Sequence, residues 1–534
     1  MQFNIADLFE SLVEAIPDKE ALVSGTDRFT FAELNTRANR MASFLRERGV
    51  GPGQHVGLHL FNGPEYVECM LAAFKLRAVS INLNYRYVAD ELRQVCDDAD
   101  LVMVITQAEL AQVAADACKG LDKVQTLVAV ADGADASSVL ARDDAFDYAA
   151  AMESGDPNPS FEPRSGDDLL IIYTGGTTGM PKGVMWRHED VFYAGLQGGN
   201  PGGEGLKTPE ELAVKAKSGE GVLNVFSTAP FIHGAAMWGT IIAMFTGGKA
   251  IVQPGRSFDP KVVCEMITTE KPHSLSLVGD AMALPLVDEL TKNADKYDTS
   301  SVFVVASAGA VLSDSVQKRL AELLPNTFIM NNFGSTETGH QGAAAAEKSA
   351  DGRTSFHMDD SNTVLDDDLK RVEPGSGVVG KLARRGHLPL GYYNDPEKTA
   401  DRFITIDGVR WVLPGDAATV EADGRITVLG RGSNCINTGG EKVFPEEVEE
   451  ALKSHPDVYD ALVVGVADDK WMQRVAAVIS PRAGKKPTLE QLQEHCRKSI
   501  AGYKVPRALQ VVDEVGRMPS GKPDYAWARK QLSA

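Results

Sequence analysis

A chain of 534 residues exceeds the size at which one hydrophobic core keeps growing, so two or more domains are expected. Hydrophobic residues make up 43% and charged residues 24%, an ordinary globular composition. A net charge of −20 argues against DNA or RNA as a main partner, because a polyanion needs a basic footprint. A local site can still hold a small anion.

The N-terminus, "MQFNIADLFESLVEAIPDKEALV", is acidic and amphipathic and lacks the basic and apolar regions of a signal peptide. The first 160 residues then alternate helix and strand patterns. "TFAELNTRANRMASFLRERG" has helical apolar spacing and a glycine stop; "HVGLHLF" predicts a strand, "EYVECMLAAFKLRA" a helix and "LVMVI" a buried strand. From Asp168 onward come short apolar runs between turns: "LLIIY", "LNVFSTA", "AIVQ", "HSLSLV", "SVFVVAS" and "TFIMNN". These are strands of a largely parallel sheet, whose carboxyl ends are where ligands bind.

Gly195–Lys217 is a glycine-rich loop leading to a short helix, read as a mobile surface insertion, with Thr208, Pro209 and Glu211 forming a capping box. Gly221–Gly248 lacks Asp, Glu, Lys and Arg, but Asn224, Pro230 and His233 favour a buried strand, a turn and a buried helix over a membrane span. After Gln341 the pattern fades, then short strands of a small β-rich subdomain lead to "GRGSN" at Gly430–Asn434. Beyond it lie helix "FPEEVEEALKSH", strands "ALVVGVA" and "VAAVIS", helix "TLEQLQEHCRKSI" and strand "ALQVV". The expected architecture is α/β: a large N-terminal domain of layered, mostly parallel sheets with the β-rich subdomain, residues 1–431, hinged to a small α+β domain, 432–534. Cys69, Cys96, Cys118, Cys264, Cys435 and Cys496 form no CxxC pair and no metal-ligand spacing with histidine, and read as reduced intracellular thiols.

The chemistry concentrates in "YTGGTTGMPKGV", Tyr173–Val184. A strand runs into a loop of glycines and hydroxyls and ends on a lysine, which suits phosphate binding. It is not a Walker A loop, because Lys182 precedes Gly183 and the spacing from Gly176 is wrong. Thr174, Thr177 and Thr178 offer hydroxyls, Gly175, Gly176 and Gly179 let backbone N–H groups approach oxygens, and Lys182 adds charge. Glu337, at a strand end after small and hydroxyl residues, is a candidate Mg²⁺ ligand. Phe333 offers a flat face and Asn331–Asn332 can accept from an amino group. Asp416 has the two acceptors that ribose hydroxyls need, and Arg431 can reach ribose or phosphate.

The twelve-residue pattern resembles the adenylate-forming superfamily, which includes acyl-CoA synthetases. Further motifs follow in that family's order: "APFIHGAAMWG" with His233, "ASAGA" with Gly309 and Ala310, and "NNFGSTETG" with Gly334, Ser335 and Thr336. Then come "GYYNDPEKT", "WVLPGD", the junction "GRITVLGRGSNCINTGGEKVFPEEVE" and "PSGKPDY" with Lys522. The resemblance covers essentially the whole chain. It implies ATP, Mg²⁺ and coenzyme A. Thr174 becomes Glu337's companion at the metal, and Gly309–Ala310 an adenine turn. Lys522 becomes the lysine that stabilises charge at the α-phosphate and attacking carboxylate. His233 becomes a wall of the thioester path, at neutral charge near pH 7.

Two half-reactions are implied: a carboxylate and ATP give acyl-AMP and pyrophosphate, then a thiol displaces AMP. The small domain rotates between them, removing Lys522 and bringing Thr438–Lys442, with Gly439, Gly440 and Lys442, toward the thiol channel. Ser433 and Asn434 depart from the usual hinge residues, Lys381 and Pro414 from other motif positions, and Met472 stands where glycine is usual, a change expected to alter local packing. Small residues after His233 and in "ASAGA" leave room for a hydrophobic acyl chain, and the chain most resembles actinobacterial fatty-acyl-CoA synthetases, some acting on sterol side-chain acids. No carrier domain or peroxisomal tripeptide follows Ala534, so free CoA is the expected acceptor. Rival readings are an acyl-AMP ligase loading a carrier protein, an aryl- or amino-acid-activating relative, and a non-catalytic nucleotide sensor. A cytoplasmic enzyme is expected, and a homodimer is left open.

Overall fold

The computed structural model describes residues 1–174, 180–344, 354–438, 441–468, 472–518 and 521–533. The predicted helices and strands of the first 160 residues form. Phe31–Glu47 is a helix whose Thr30 and Glu33 make a reciprocal capping box; Pro64–Lys75 follows, with strands His55–His59 and Leu101–Gln107 around it. Among the described residues these strands belong to an eight-stranded sheet. Its order is Gly391–Tyr392, Lys182–Arg187, Leu169–Thr174, Val79–Asn82, His55–His59, Leu101–Gln107, Thr126–Val130, Ala145–Asp147. All pairs are parallel except the first two.

The second sheet runs Glu20–Ser24, Ala250–Val252, Val225–Ser227, Ser274–Leu277, Val304–Ser307, Phe328–Ser335, all parallel. It does not stop there. Gly339–Ala344 pairs antiparallel with Phe328–Ser335, and Ser355–Met358, Ile426–Arg431, Asp416–Val420 and Gly380–Arg385 extend the same path. The β-rich subdomain is thus hydrogen-bonded into the large sheet instead of standing apart from it. Gly221–Gly248 holds the strand Val225–Ser227 and the buried helix Gly234–Phe245. No helix of the described residues is long and apolar enough to cross a membrane.

The Gly195–Lys217 segment departs from expectation. Its helix begins at Glu210 with Pro209 as the cap residue, and no side chain caps it. The Glu211 carboxylate turns back to the Lys207 N–H at 2.9 Å, so the box with Thr208 does not form. Leu212 and Ala216 are buried and the Tyr193 hydroxyl donates to Leu206 O at 3.0 Å, so the segment is built into the core.

Ile426–Arg431 ends in the large sheet and Ile436–Thr438 begins in a third, five-stranded among the described residues, with a short 3₁₀ turn at Gly432–Asn434 between them. The hairpin of Ile436–Thr438 with Glu441–Val443 carries no periodic signal of its own. In the strand Val458–Asp468, Ala461 and Val463 pack in one core while Leu462 and Val464 pack in another. A strand covered on both faces reads as an unbroken apolar run, which is why "ALVVGVA" shows no alternation.

Candidate active site

Glu337 sits in a three-residue turn between the strands Phe328–Ser335 and Gly339–Ala344. The turn is tied at every residue. The Ser335 N–H donates to Thr338 Oγ1 at 2.9 Å, the Trp186 indole donates to Thr336 O at 2.9 Å, and the Tyr392 hydroxyl donates to Glu337 Oε1 at 3.1 Å. Gly334 is required by close approach: a Cβ there would lie 2.1 Å from Gly339 O. The strand before the turn places Asn331 beside Ser307 and Ala344, and Asn332 opposite Ala343. Phe333 is half-buried, with its ring 5.4 Å from that of Phe356 and packed on the Val364–Leu382 core.

Asp416 begins a strand and pairs in register with Arg431. Its Oδ1 lies 3.2 Å from Arg431 Nε, while Arg431 Nη1 donates to Pro414 O at 2.7 Å. Burial raises the Asp416 pKa, with Arg431 opposing and Glu337 reinforcing the shift.

Lys522 arrives from the small domain, in a turn where the Met518 N–H donates to Lys522 O at 2.8 Å. Lys522 is exposed to solvent, although much protein lies around its ammonium. Burial first, then the Arg431 charge, lower its pKa, while Glu337 and Asp416 act the other way. Gly309, at φ +80°, follows the strand Val304–Ser307; a Cβ there would meet Lys522 Cε at 3.7 Å. Ala310 packs beside Gly279. His233 precedes the helix Gly234–Phe245, and its Nε2 is buried without a partner. Burial, then the nearby Lys522 charge, push its pKa down to about 3, so the imidazole is neutral. Lys522, Glu337, Asp416, Arg431, His233 and Gly309 thus converge from five separate stretches of chain.

Thr174 and Lys182 are register partners at the base of the phosphate loop. Gly175, Gly176, Thr177, Thr178 and Gly179 lie outside the described residues, as do Gly439 and Gly440. The Lys182 ammonium is engaged: Asp395 Oδ2 lies 2.6 Å away, while Asp395 Oδ1 caps the helix Pro396–Arg402 through the Lys398 N–H. Lys442 is exposed on the small domain's hairpin, paired in register with Asn437.

Tyr392 and Asp395 are not singled out by sequence, although both lie in the motif "GYYNDPEKT". Nothing local marked Trp186. The donor set suits Mg²⁺: one hard carboxylate in a fixed turn, with no cluster of three His, Cys, Asp or Glu among the described residues. Such a site leaves most coordination positions to water and phosphate oxygens, as Mg²⁺ prefers.

A cleft of about 620 Å³ opens between the domains, lined by Arg86, Thr228 and Arg256 of the large domain and by Arg517 and Gly521 of the small one. A small domain that lends a lysine to a carboxylate-lined nucleotide site is the arrangement of an adenylate-forming enzyme. Residues 9–393 match the AMP-binding enzyme family and residues 447–522 its C-terminal domain, and the chain belongs to that family. It is 46% identical over 539 residues to a 3-oxocholest-4-en-26-oate–CoA ligase of Rhodococcus rhodochrous, spanning 99% of this chain and 96% of that one. It is 39% identical over 546 residues to the medium-chain acyl-CoA ligase Mig of Mycobacterium avium, spanning 99% and 98%. Among solved structures, the anthranilate CoA ligase AuaEII in complex with anthranoyl-AMP aligns with a TM-score of 0.85 at 22% identity, over 99% of this chain and 98% of that one, a likeness of fold.

Proposed function

We propose that the protein is an ATP-dependent, AMP-forming acid–thiol ligase that converts a hydrophobic carboxylic acid to its CoA thioester. The observation that carries this reading is the approach of Lys522, from the small domain, to Glu337, Asp416 and Arg431 of the large one. In the first half-reaction a carboxylate oxygen bonds to the α-phosphorus of ATP, and the bond to pyrophosphate breaks. In the second, the CoA sulfur bonds to the acyl carbon, AMP leaves and the thiol proton is released.

Bound at Glu337 with Thr174, Mg²⁺ would neutralise phosphate oxygens. Lys522 then supplies a mobile positive charge at the α-phosphate, where negative charge accumulates. Asp416 accepts from the ribose hydroxyls, and Arg431 fixes its orientation. His233, held neutral, adds no charge that would repel Lys522. Thr336 keeps Glu337 in place by giving its carbonyl to Trp186.

The acid site is read as apolar. Trp186 and Trp238 meet edge to face, 6.4 Å apart, directly behind the Glu337 turn. Gly195 and Gly234 both leave room for the Trp238 ring, since a Cβ on either would come within 3.0 and 3.3 Å of it. Both indoles are buried in the core, so the backing of the turn is apolar and offers no charge for an amino-acid ammonium, which suits a fatty or sterol-derived chain. The names of the relatives, a sterol-acid and a medium-chain ligase, point the same way. Arg86 and Arg256 in the cleft would attract the anionic end of CoA. A cytoplasmic setting, where ATP and CoA are available, suits these substrates.

The test is thioester formation with free CoA across medium- and long-chain fatty, sterol-derived, aryl and amino acids, alongside ATP–pyrophosphate exchange. Mg²⁺-dependent thioester formation with hydrophobic acids is expected. Exchange without transfer to free CoA would indicate a carrier-protein acceptor, and absence of exchange with every acid would remove the reading.

A further inference from the structure

The domains meet across a buried charge pair that the Glu337 site does not use. Asp280 lies in the first turn of the large-domain helix Gly279–Lys292 and is 1% exposed. Its Oδ1 accepts from the Ser313 N–H at 2.8 Å and the Ser313 hydroxyl at 3.1 Å. Its Oδ2 accepts no hydrogen bond but faces the Lys453 ammonium at 3.3 Å. Lys453 ends the small-domain helix Pro445–Lys453 and is 6% exposed. Burial disfavours its charge, yet Asp280 and Asp460 outweigh that and hold its pKa above the ordinary lysine value. One turn earlier, Glu450 Oε1 accepts from the Asp314 N–H at 2.9 Å, next to Ser313.

The pair connects onward to the active-site turn. Lys453 lies 3.9 Å from Asp460 Oδ1. Arg517 grips Asp460 through two hydrogen bonds, Nε to Oδ2 at 2.7 Å and Nη2 to Oδ1 at 2.6 Å. Arg517 Nη1 then donates to Gly521 O at 3.1 Å, the carbonyl immediately before Lys522. A continuous chain of charges thus runs from the large domain to the backbone that carries the lysine. Removing one member of a buried pair leaves the other uncompensated, so the pair favours one seating of the small domain over displaced ones.

We propose that Asp280 and Lys453 are positioning residues that seat the small domain so that Asp460 and Arg517 hold the Gly521–Lys522 turn over Glu337 and Asp416. The proposal rests on the role given to Lys522 in the first half-reaction. Neither residue touches substrate; both act through Lys522. Their effect falls on acyl-AMP formation, which needs that seating, and not on thiol attack, which does not.

The test measures the two half-reactions separately in the full-length chain: acid-dependent ATP–pyrophosphate exchange, and thioester formation from supplied acyl-AMP and CoA. Lys453→Met and Asp280→Asn are each expected to lower exchange about tenfold or more. Thioester formation should stay within about twofold of the parent. Asp280→Asn keeps the Oδ1 acceptor for Ser313, so it carries the test even if Lys453→Met does not fold. The double variant should lose no more than either single, because both members of the pair are then neutral, and Lys453→Arg should recover most of the exchange. Lys522→Ala is the reference. If it separates the half-reactions while the pair variants depress both equally, or neither, the positioning role is overturned and the assignment of Lys522 stands. If Lys522→Ala fails to separate them, the assignment of Lys522 falls and the positioning role falls with it.

Discussion

The Tyr392 hydroxyl donates to Glu337 Oε1 across 3.1 Å, joining residues 55 positions apart. Tyr392 is buried against Phe403, ring to ring at 5.9 Å, so the hydroxyl has little freedom to leave. With Glu337 as the proposed Mg²⁺ ligand, an outer-shell donor of this kind orients it before the metal arrives. Tyr392→Phe should therefore raise the Mg²⁺ concentration for half-maximal pyrophosphate exchange about tenfold at saturating ATP. An unchanged Mg²⁺ requirement would show that the Glu337 turn holds its shape without the phenol.

Lys522 should be dispensable for one half-reaction only. Lys522→Ala is expected to abolish acyl-AMP formation while sparing thioester formation from supplied acyl-AMP. The cation is the active form, and burial lowers its pKa, so exchange should fail on the alkaline side as the lysine loses its proton. Lys522→Arg keeps its proton to higher pH. Its exchange profile should retain activity further into alkali, whatever its maximal rate, and an identical alkaline limb would assign that limb to another group.

Glu446 gives a pH-dependent stability. Burial, followed by the charges of Glu449 and Asp416, pushes its pKa up to about 8, and its Oε2 is buried without a partner beneath Gly430. A carboxyl raised above its unfolded value is favourable when protonated. That contribution is full below about 4.5 and is lost as pH climbs toward 8. Glu446→Gln removes the titration. The variant should gain stability relative to the parent as pH rises from about 5 to about 8, read from denaturant midpoints; parallel curves would dismiss the effect.

Met472 is a matter of backbone, not packing. It has φ +64° and is 69% exposed, so its side chain fills no core, contrary to the expectation that it alters local packing. A left-handed conformation disfavours an L-residue by about 1–2 kcal/mol, whereas glycine forfeits about 0.5–1 kcal/mol of chain entropy. The first effect is the larger, so Met472→Gly should stabilise the small domain by about 0.5–1 kcal/mol in urea unfolding. A destabilised variant would mean that the methionine makes contacts worth more than its strain.

Much of the site was legible because each residue carries a local signature. Glu337 follows small and hydroxyl residues at a strand end, Asp416 follows a Pro-Gly turn, and Lys522 sits in a glycine turn. What surrounds them was not legible, because those contacts join distant parts of the chain. Trp186 reaches Thr336 across 150 positions, and Lys182 finds Asp395 far along the chain in sequence. The parallel strands were readable as apolar runs, but their fusion with the β-rich subdomain was not. It depends on backbone pairing of Gly339–Ala344 with Ser355–Met358, and pairing partners leave no mark on composition. Thr208 and Glu211 had the right spacing for a capping box, yet Pro209 took the cap position and left Thr208 one residue too early.

The ladder that carries Asn331 and Asn332 continues without a break to the strand that begins with Asp416. The residues proposed for the adenine end and the sugar end of the nucleotide therefore ride on a single elastic plate. Such a plate deforms as a unit, so a solvent or temperature that slackens the ribose carboxylate must also fray the hairpin that presents Glu337. Hydrogen exchange should open both stretches with one free energy, while the domain bearing Lys522 opens with its own.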